Sequence, residues 1–315
     1  MNIRENQIQI SEGKLPLISV IIVLSLSLFG FVFLGPAIGV LFTLPFLDFN
    51  PGNLEQLFTS YRTLPNGQMA LYVLQGFTTL IGFVVIPWFY LRFAEKQSIT
   101  VFSPKKFNLL PVLVLTALIT IAFMPVNSIF VEWNANLKWP AALSELEEFA
   151  RTAEDRAADM TQFLIDFDNL GQFAVAFLVI AILPGFGEEL LFRGYLQNLI
   201  HKGSKNPHIA IWVSAILFSA IHLQFFGFVP RVLLGALFGY LYYWSGNLTV
   251  PVIAHIVNNG FTLIMVYFHS KGLVNFDIQD TESTPIVGVL VFLVMAIGLT
   301  LLFKGYFKKL EARHG

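Results

Sequence analysis

Three groups of polar residues interrupt long apolar stretches in the second half of the chain. Each group contains a carboxylate or an imidazole, the side chains that most often transfer protons in enzymes. Placing an ionisable group in the middle of a membrane span costs a free energy of about 2.5–3.5 kcal/mol on insertion scales. Such residues are therefore candidates for a functional site. A carboxylate beside two imidazoles in a low-dielectric cavity can deprotonate a water and stabilise an oxyanion, the functions that intramembrane hydrolysis requires. The groups comprise Glu188, Glu189, Arg193, His222, His255 and Asn259.

Helical spacing predicts two pairings among these residues. Glu189 and Arg193 are i and i+4, which suits an ion pair. Glu188 is rotated about 100° from Glu189 and has no such partner in the sequence. His255 and Asn259 project from one helical face.

Each group alone also has a structural explanation. The residues from Pro184 to Gly187 can break a helix and place the carboxylates in a cytoplasmic turn. His222 can be a hydrogen-bonded core residue, and the pair of His255 and Asn259 can join neighbouring helices. The occurrence of all three groups favours a shared site.

The composition defines where these residues lie. Only 39 of 315 residues are charged, or 12%, against about 25% in ordinary soluble domains. Hydrophobic residues make up 56%, 33 residues are Phe, and the mean hydropathy is +0.69. A soluble fold, a disordered chain and an electrostatic nucleic-acid binder are excluded, the last because the net charge is −1. With no cysteine, disulfides and a thiol nucleophile are excluded as well. The chain is predicted to be a polytopic membrane protein.

Apolar stretches predict an all-α fold with about eight transmembrane helices, since about 20 apolar residues span a bilayer. The first stretch is read as an uncleaved span rather than a signal peptide. The predicted spans are 15–47, 70–91, 107–131, 171–200, 208–228, 230–244, 248–268 and 286–303.

The charges of the loops predict the orientation. Basic residues cluster between spans two and three, between spans four and five, and after span eight, which places both termini in the cytoplasm. The remaining long connection, 132–170, contains nine acids and three basic residues. The clusters are Arg92, Lys96, Lys105 and Lys106; Lys202 and Lys205; and Lys304, Lys308, Lys309 and Arg313.

The 132–170 connection is predicted to form an amphipathic helix on the non-cytoplasmic side. Apolar residues recur there at intervals of three and four, and Ser144 and Glu147 suit a capping box. Two interpretations remain open: a structural cap over the spans, or a role in substrate gating or partner binding. The apolar residues are Leu143, Leu146, Ala150, Ala153, Ala157, Met160, Leu164 and Phe167.

Other types of intramembrane hydrolase, a transporter and a haem protein are less consistent with the sequence. It contains no His-Glu-x-x-His, no Asp pair within the spans, no Gly-x-Ser-x-Gly and no evident Ser-His dyad. A transporter is disfavoured because no repeated halves occur. A haem protein with His222 and His255 as axial ligands leaves Glu188 and Asn259 without a role.

The three groups resemble the motifs of the CAAX-prenyl-protease and bacteriocin-processing family, the Abi or CPBP intramembrane proteases. That family carries Glu-Glu-x-x-x-Arg, Phe-x-x-x-His and His-x-x-x-Asn on successive spans. The sequence from 188 to 197, Glu-Glu-Leu-Leu-Phe-Arg-Gly-Tyr-Leu-Gln, is typical of bacterial members, and Phe218 precedes His222 as in the second motif. The resemblance covers 188–259, within a core of roughly 170–270.

The resemblance implies an intramembrane endopeptidase in a bacterial cytoplasmic membrane that cuts a membrane-bound or lipidated protein or peptide near the cytoplasmic leaflet. It implies that Glu188 activates water, Glu189 pairs with Arg193, His222 assists proton transfer, and His255 and Asn259 stabilise the oxyanion. A non-catalytic protein of the same fold, for bacteriocin immunity or scaffolding, is the alternative. Zinc held by Glu188, His222 and His255 is chemically reasonable; a metal-free site fits the same residues and is slightly favoured.

The predicted organisation is an N-terminal three-span region (1–131), the acidic segment (132–170), a catalytic membrane core (171–270), and a last span with a basic tail (271–315). Straight helices at the predicted boundaries leave one disagreement. Glu188 and His255 share a depth toward the cytoplasmic side, but His222 lies roughly 10 Å away in depth.

Overall fold

The computed structural model describes residues 15–104, 107–167, 169–275 and 281–314. Helices make up most of these ranges, which contain no strand. Lys105, Lys106 and Asp168, which contribute to the predicted loop charges, lie outside the described residues.

Seven helices in the described part of the chain are long and apolar enough to cross a membrane. They confirm the prediction of a polytopic all-α membrane protein. These spans are α1 (Pro16–Leu47), α3 (Gly67–Ala94), α4 (Leu109–Ala135), α6 (Leu170–Ser204), α8 (Phe225–Ser245), α9 (Thr249–Ser270) and α10 (Ile286–His314). Between them lie α2 (Pro51–Thr59), α5 (Ser144–Leu164) and α7 (Pro207–Ala220).

The predicted fifth span, 208–228, is divided in the structure. Helix α7 ends at Ala220 after 14 residues, a turn follows, and α8 begins at Phe225. Leu223 in this turn adopts the left-handed conformation, with φ of 53°, which a helix cannot continue through. Fourteen residues measure about 21 Å, less than the roughly 30 Å hydrocarbon core. The predicted fifth span is therefore a shorter helix, and seven of the eight predicted spans are long enough to cross a membrane.

Helix α6 is continuous from Leu170 to Ser204, so the alternative in which Pro184 to Gly187 break the helix is wrong. Two π-helical segments, Phe177–Ile182 and Leu190–Gln197, flank this region. Such wide turns frequently occur at functional sites.

Helix α6 also forms the centre of the bundle. Its residues from Leu190 to Leu196 are completely or almost completely buried. Glycines allow its neighbours to approach closely, since a Cβ on Gly185 would lie 2.6 Å from the Ile256 side chain on α9. Helices α7 and α8 pack on each other and on this part of α6.

The amphipathic helix in the acidic connection is confirmed as α5, but its predicted capping box is wrong. Ser144 lies inside the helix, and its side chain makes no capping hydrogen bond. The Glu147 carboxylate instead accepts hydrogen bonds from the Trp139 backbone N–H at 2.9 Å and from Arg151 Nε at 2.9 Å. A 3₁₀ turn at Ala141–Leu143 precedes the helix and shifts its start.

Candidate active site

The three polar groups predicted from the sequence come from three neighbouring elements. Helix α6 carries Glu188, Glu189 and Arg193 within a run of buried residues. His222 lies in the turn between α7 and α8, and α9 carries His255. The close packing of α9 on α6 brings His255 against both carboxylates.

Glu189, Arg193 and His255 form a buried ion-pair network. Arg193 Nη1 donates to Glu189 Oε1 at 2.7 Å, which confirms the predicted i, i+4 pair. His255 Nδ1 lies 2.8 Å from the same oxygen. Because an ionised carboxylate only accepts, this nitrogen carries the proton. Glu189 therefore fixes the orientation of the His255 ring and directs its Nε2 away from the pair.

Arg193 is held from three sides. Its Nη2 donates to the Gly235 backbone carbonyl on α8 at 2.7 Å. Its guanidinium carbon lies 4.9 Å from the Phe218 ring centroid and 5.6 Å from that of Phe238. These contacts compensate a charge whose side chain is 1% exposed.

Glu188 has a different environment from Glu189. Its side chain is 12% exposed, whereas that of Glu189 is completely buried. Glu188 Oε2 lies 3.9 Å from His255 Nε2. That distance is too long for a direct hydrogen bond, but a water can contact both atoms. The arrangement provides a carboxylate and an imidazole nitrogen on either side of one water position.

His222 is oriented by its own helix. Its Nδ1 lies 2.8 Å from the Phe218 backbone carbonyl, which only accepts, so this nitrogen is the donor and Nε2 holds a lone pair. The Phe218 ring lies 5.1 Å from the His222 ring and 5.9 Å from the His255 ring. One aromatic side chain thus packs against both imidazoles and brings His222 to the site.

Asn259 lies one helical turn from His255 and makes contacts between helices. Its Nδ2 donates to the Ile180 backbone carbonyl at 3.1 Å, within the first π-helical segment of α6. Its Oδ1 accepts from Asn258 Nδ2 at 3.1 Å. One N–H of its amide group remains for a ligand.

Arg231, on α8, also belongs to this region. Its guanidinium interacts electrostatically with Glu188 and with Glu154 of α5. Its Nη2 donates to Gln224 Oε1 at 2.5 Å, and its buried Nη1 has no hydrogen-bond partner in the described residues. No sequence motif marks this residue, because its relation to Glu188 exists only through space.

The suggestion that Glu188, His222 and His255 hold zinc stays a prediction. Over the described ranges, no three His, Asp or Glu residues lie together in an arrangement that could hold a metal ion. His255 Nδ1 is occupied by Glu189 and His222 Nδ1 by Phe218, which leaves one nitrogen on each ring.

Comparison with known proteins finds similarities to this region of the chain. Residues 170–261 match the model of the type II CAAX prenyl endopeptidases, Rce1-like. A stretch of 101 residues is 34% identical to the membrane-embedded CAAX protease MroQ of Staphylococcus aureus. Another of 84 residues is 33% identical to the uncharacterized protein YpbD of Bacillus subtilis.

These relatives are matched over part of their length. The alignments cover 30% and 25% of this chain, and 40% of each relative. No solved structure matches the chain. The matched region nevertheless contains Glu188, Glu189, Arg193, His222, His255 and Asn259. Residues 170–261 of this chain are therefore similar to the Rce1-like type II CAAX prenyl endopeptidases.

Proposed function

We propose that this protein is an intramembrane endopeptidase acting on a membrane-bound or lipidated protein or peptide. The observation that carries the proposal is the position of Glu188, whose carboxylate lies 3.9 Å from an imidazole nitrogen fixed by a buried ion pair. The family match and the name of the Staphylococcus aureus relative support a protease.

In the proposed reaction, Glu188 accepts a proton from a water placed between its carboxylate and His255. The water oxygen forms a bond to the carbonyl carbon of the substrate, and the π electrons of the carbonyl move to its oxygen. The negative charge thus moves from Glu188 to the tetrahedral oxyanion. Glu188 then returns the proton to the leaving amine as the C–N bond breaks.

The remaining residues hold the reacting groups. Glu189 and Arg193 orient His255, and His222 offers its Nε2 to the water or to the transferred proton. His255, when charged, and the free N–H of Asn259 donate to the oxyanion. The proposed steps require no metal, and metal analysis of the purified protein tests that choice.

The decisive experiment compares the protein termini of membranes from cells with the wild type and with Glu188→Gln. Glutamine retains the size of the side chain but cannot accept the proton. We expect at least one membrane protein to accumulate uncut, with a rate loss of about 10²–10⁴. Glu148→Gln on the exposed face of α5 is the matched control and should cut normally.

An unchanged set of termini in cells with folded Glu188→Gln protein would reject the protease proposal. The same biological activity in that variant would favour the alternative, a non-catalytic protein of this fold acting in bacteriocin immunity or as a scaffold. His222→Ala provides a second test, since the proposal expects it to accumulate the same uncut protein.

A further inference from the structure

Helix α5 packs on the spans through polar residues rather than through its apolar stripe. Of the eight predicted apolar positions, Ala150, Leu164 and Phe167 are buried, whereas Leu143, Leu146 and Met160 are exposed. Phe149, outside that pattern, is 70% exposed. The apolar stripe is therefore only partly buried.

Hydrogen bonds and a cation–π contact attach the first part of α5. Glu154 Oε1 accepts from the Phe226 backbone N–H at 3.0 Å, beside the turn that carries His222. Arg151 Nη2 donates to the Leu137 carbonyl at 2.7 Å, and its guanidinium carbon lies 3.8 Å from the Phe226 ring centroid. The face that contacts the bundle thus consists of Glu147, Ala150, Arg151, Glu154 and Ala157.

The other end of α5 is attached to the beginning of α3. Gln68 Nε2 donates to the Phe163 carbonyl at 2.9 Å, and the Tyr72 hydroxyl donates to the Leu164 carbonyl. Arg62, just before α3, pairs with Asp159 at 2.6 Å. Because α3 begins and α4 ends at these attachments, α5 lies at the level where the spans leave the membrane.

The exposed residues of α5 form two further faces. At about 100° per residue, Leu146, Phe149, Ala153 and Met160 lie on one flank, roughly a third of a turn from the contact face. Glu148, Thr152 and Asp155 lie on the other flank. The division into an apolar and a polar flank is a feature of helices that lie in a membrane interface.

We propose that the apolar flank of α5, formed by Leu146, Phe149, Ala153 and Met160, lies among the lipids of the bilayer interface. Lipid is the occupant that the position of the helix favours, because α5 is attached where α3 begins and α4 ends. Trp133, at the end of α4 and 51% exposed, is the type of residue found at that level. The acidic flank faces water.

The polar attachments keep α5 at this level at neutral pH. Hydrogen bonds from the Trp139 backbone and Arg151 hold the pKa of the Glu147 carboxyl below its usual value. Hydrogen bonds from Arg62 and Tyr61 do the same for the pKa of Asp159. Both groups are therefore carboxylates, and retain these bonds, at neutral pH.

Spin labelling tests the proposal without assuming any enzymatic activity. The chain has no cysteine, so Phe149→Cys, Leu146→Cys and Glu148→Cys each carry a single label in the full-length protein. The proteins are placed in phosphatidylcholine nanodiscs and exposed to oxygen, which concentrates in the acyl region, or to a water-soluble nickel complex.

We expect oxygen to relax the labels at 146 and 149 more strongly than the nickel complex does. At 148, the nickel complex should cause the stronger relaxation. The first two labels should lie about 5–10 Å into the boundary between headgroups and acyl chains. Ala150→Cys, on the buried face, is the control and should be immobile and protected from both reagents.

Stronger relaxation by nickel at both 146 and 149 would mean that the flank faces water, and it would overturn the proposal. Protection from both reagents would instead mean that a protein, such as a second copy, covers the flank. Neither result would alter the test of Glu188, so the two proposals fail independently.

Discussion

At the scale of single residues, the two adjacent carboxylates have different environments. Glu189 is bonded to Arg193 and His255 and is completely buried. Glu188 contacts no cation at hydrogen-bond distance in the described residues, and it is the more accessible of the two. One carboxylate thus maintains the geometry, and the other remains available for chemistry.

Arg193→Met should destabilise the protein by about 3–5 kcal/mol, because it leaves Glu189 as a buried charge without its partner. Arg193→Lys should recover only part of this loss, since one ammonium cannot reproduce the planar fork that reaches both Glu189 and the Gly235 carbonyl. Denaturant unfolding in mild detergent measures both effects.

The double variant Glu189→Gln with Arg193→Met separates the contribution of the ion pair to stability from the contribution of side-chain packing. If the pair matters as described, the double variant loses clearly less stability than the sum of the two single variants. Additive losses, or full recovery by lysine, would contradict the proposed arrangement.

At the scale of elements, the position of Arg193 depends on how closely α8 approaches α6 and α7. A Cβ on Gly235 would lie 3.1 Å from Arg193 Nη2 and 3.2 Å from the Ala215 Cβ on α7. These distances are tighter than ordinary contacts, so a methyl group must displace one of its neighbours. Gly235 therefore sets the spacing of three helices around the ion pair.

Gly235→Ala should destabilise the protein by about 1–3 kcal/mol and reduce cleavage, because crowding displaces the arginine or α7. Gly298→Ala on α10 is the matched control, since a Cβ there has no neighbour within 4 Å. Thermal unfolding measures the loss of stability, and the abundance of uncut substrate measures the reduced cleavage. Equal behaviour of the two variants would show that the close approach at Gly235 is unimportant.

Patterns along the chain predicted the elements better than their contacts. Apolar length located the spans, and i, i+4 spacing predicted the ion pair of Glu189 with Arg193. The end of α7 was missed because hydropathy continues through Ile221 and Leu223, although the backbone turns there. The approach of Arg231 toward Glu188, and the polar packing face of α5, depend on contacts between distant segments, which periodicity does not show.

At the scale of the whole molecule, the His222 turn of the site lies toward one end of the bundle, beside α5. His222 follows the end of α7, whereas Lys202 and Lys205 precede its beginning. The predicted orientation places those lysines in the cytoplasm. On that orientation, the His222 turn and α5 lie on the non-cytoplasmic side, away from the leaflet where cleavage was expected.

Cysteine labelling measures this orientation. Leu223→Cys, at a position 78% exposed, should react with a membrane-impermeant maleimide in intact cells. Lys205→Cys should react only after the membrane is permeabilised. The opposite pattern would invert the predicted topology and return the site to the cytoplasmic side, and it would leave the proposed chemistry unchanged.

The shortness of α7 has a consequence for the supply of water. Ile209, Trp212, Val213 and Ile216 are exposed, so this helix of about 21 Å meets lipid whose hydrocarbon core is roughly 30 Å thick. Such hydrophobic mismatch is relieved by local thinning of the bilayer. A depression of the headgroup surface beside α7 would bring hydration close to His222, which lies two residues after the end of the helix.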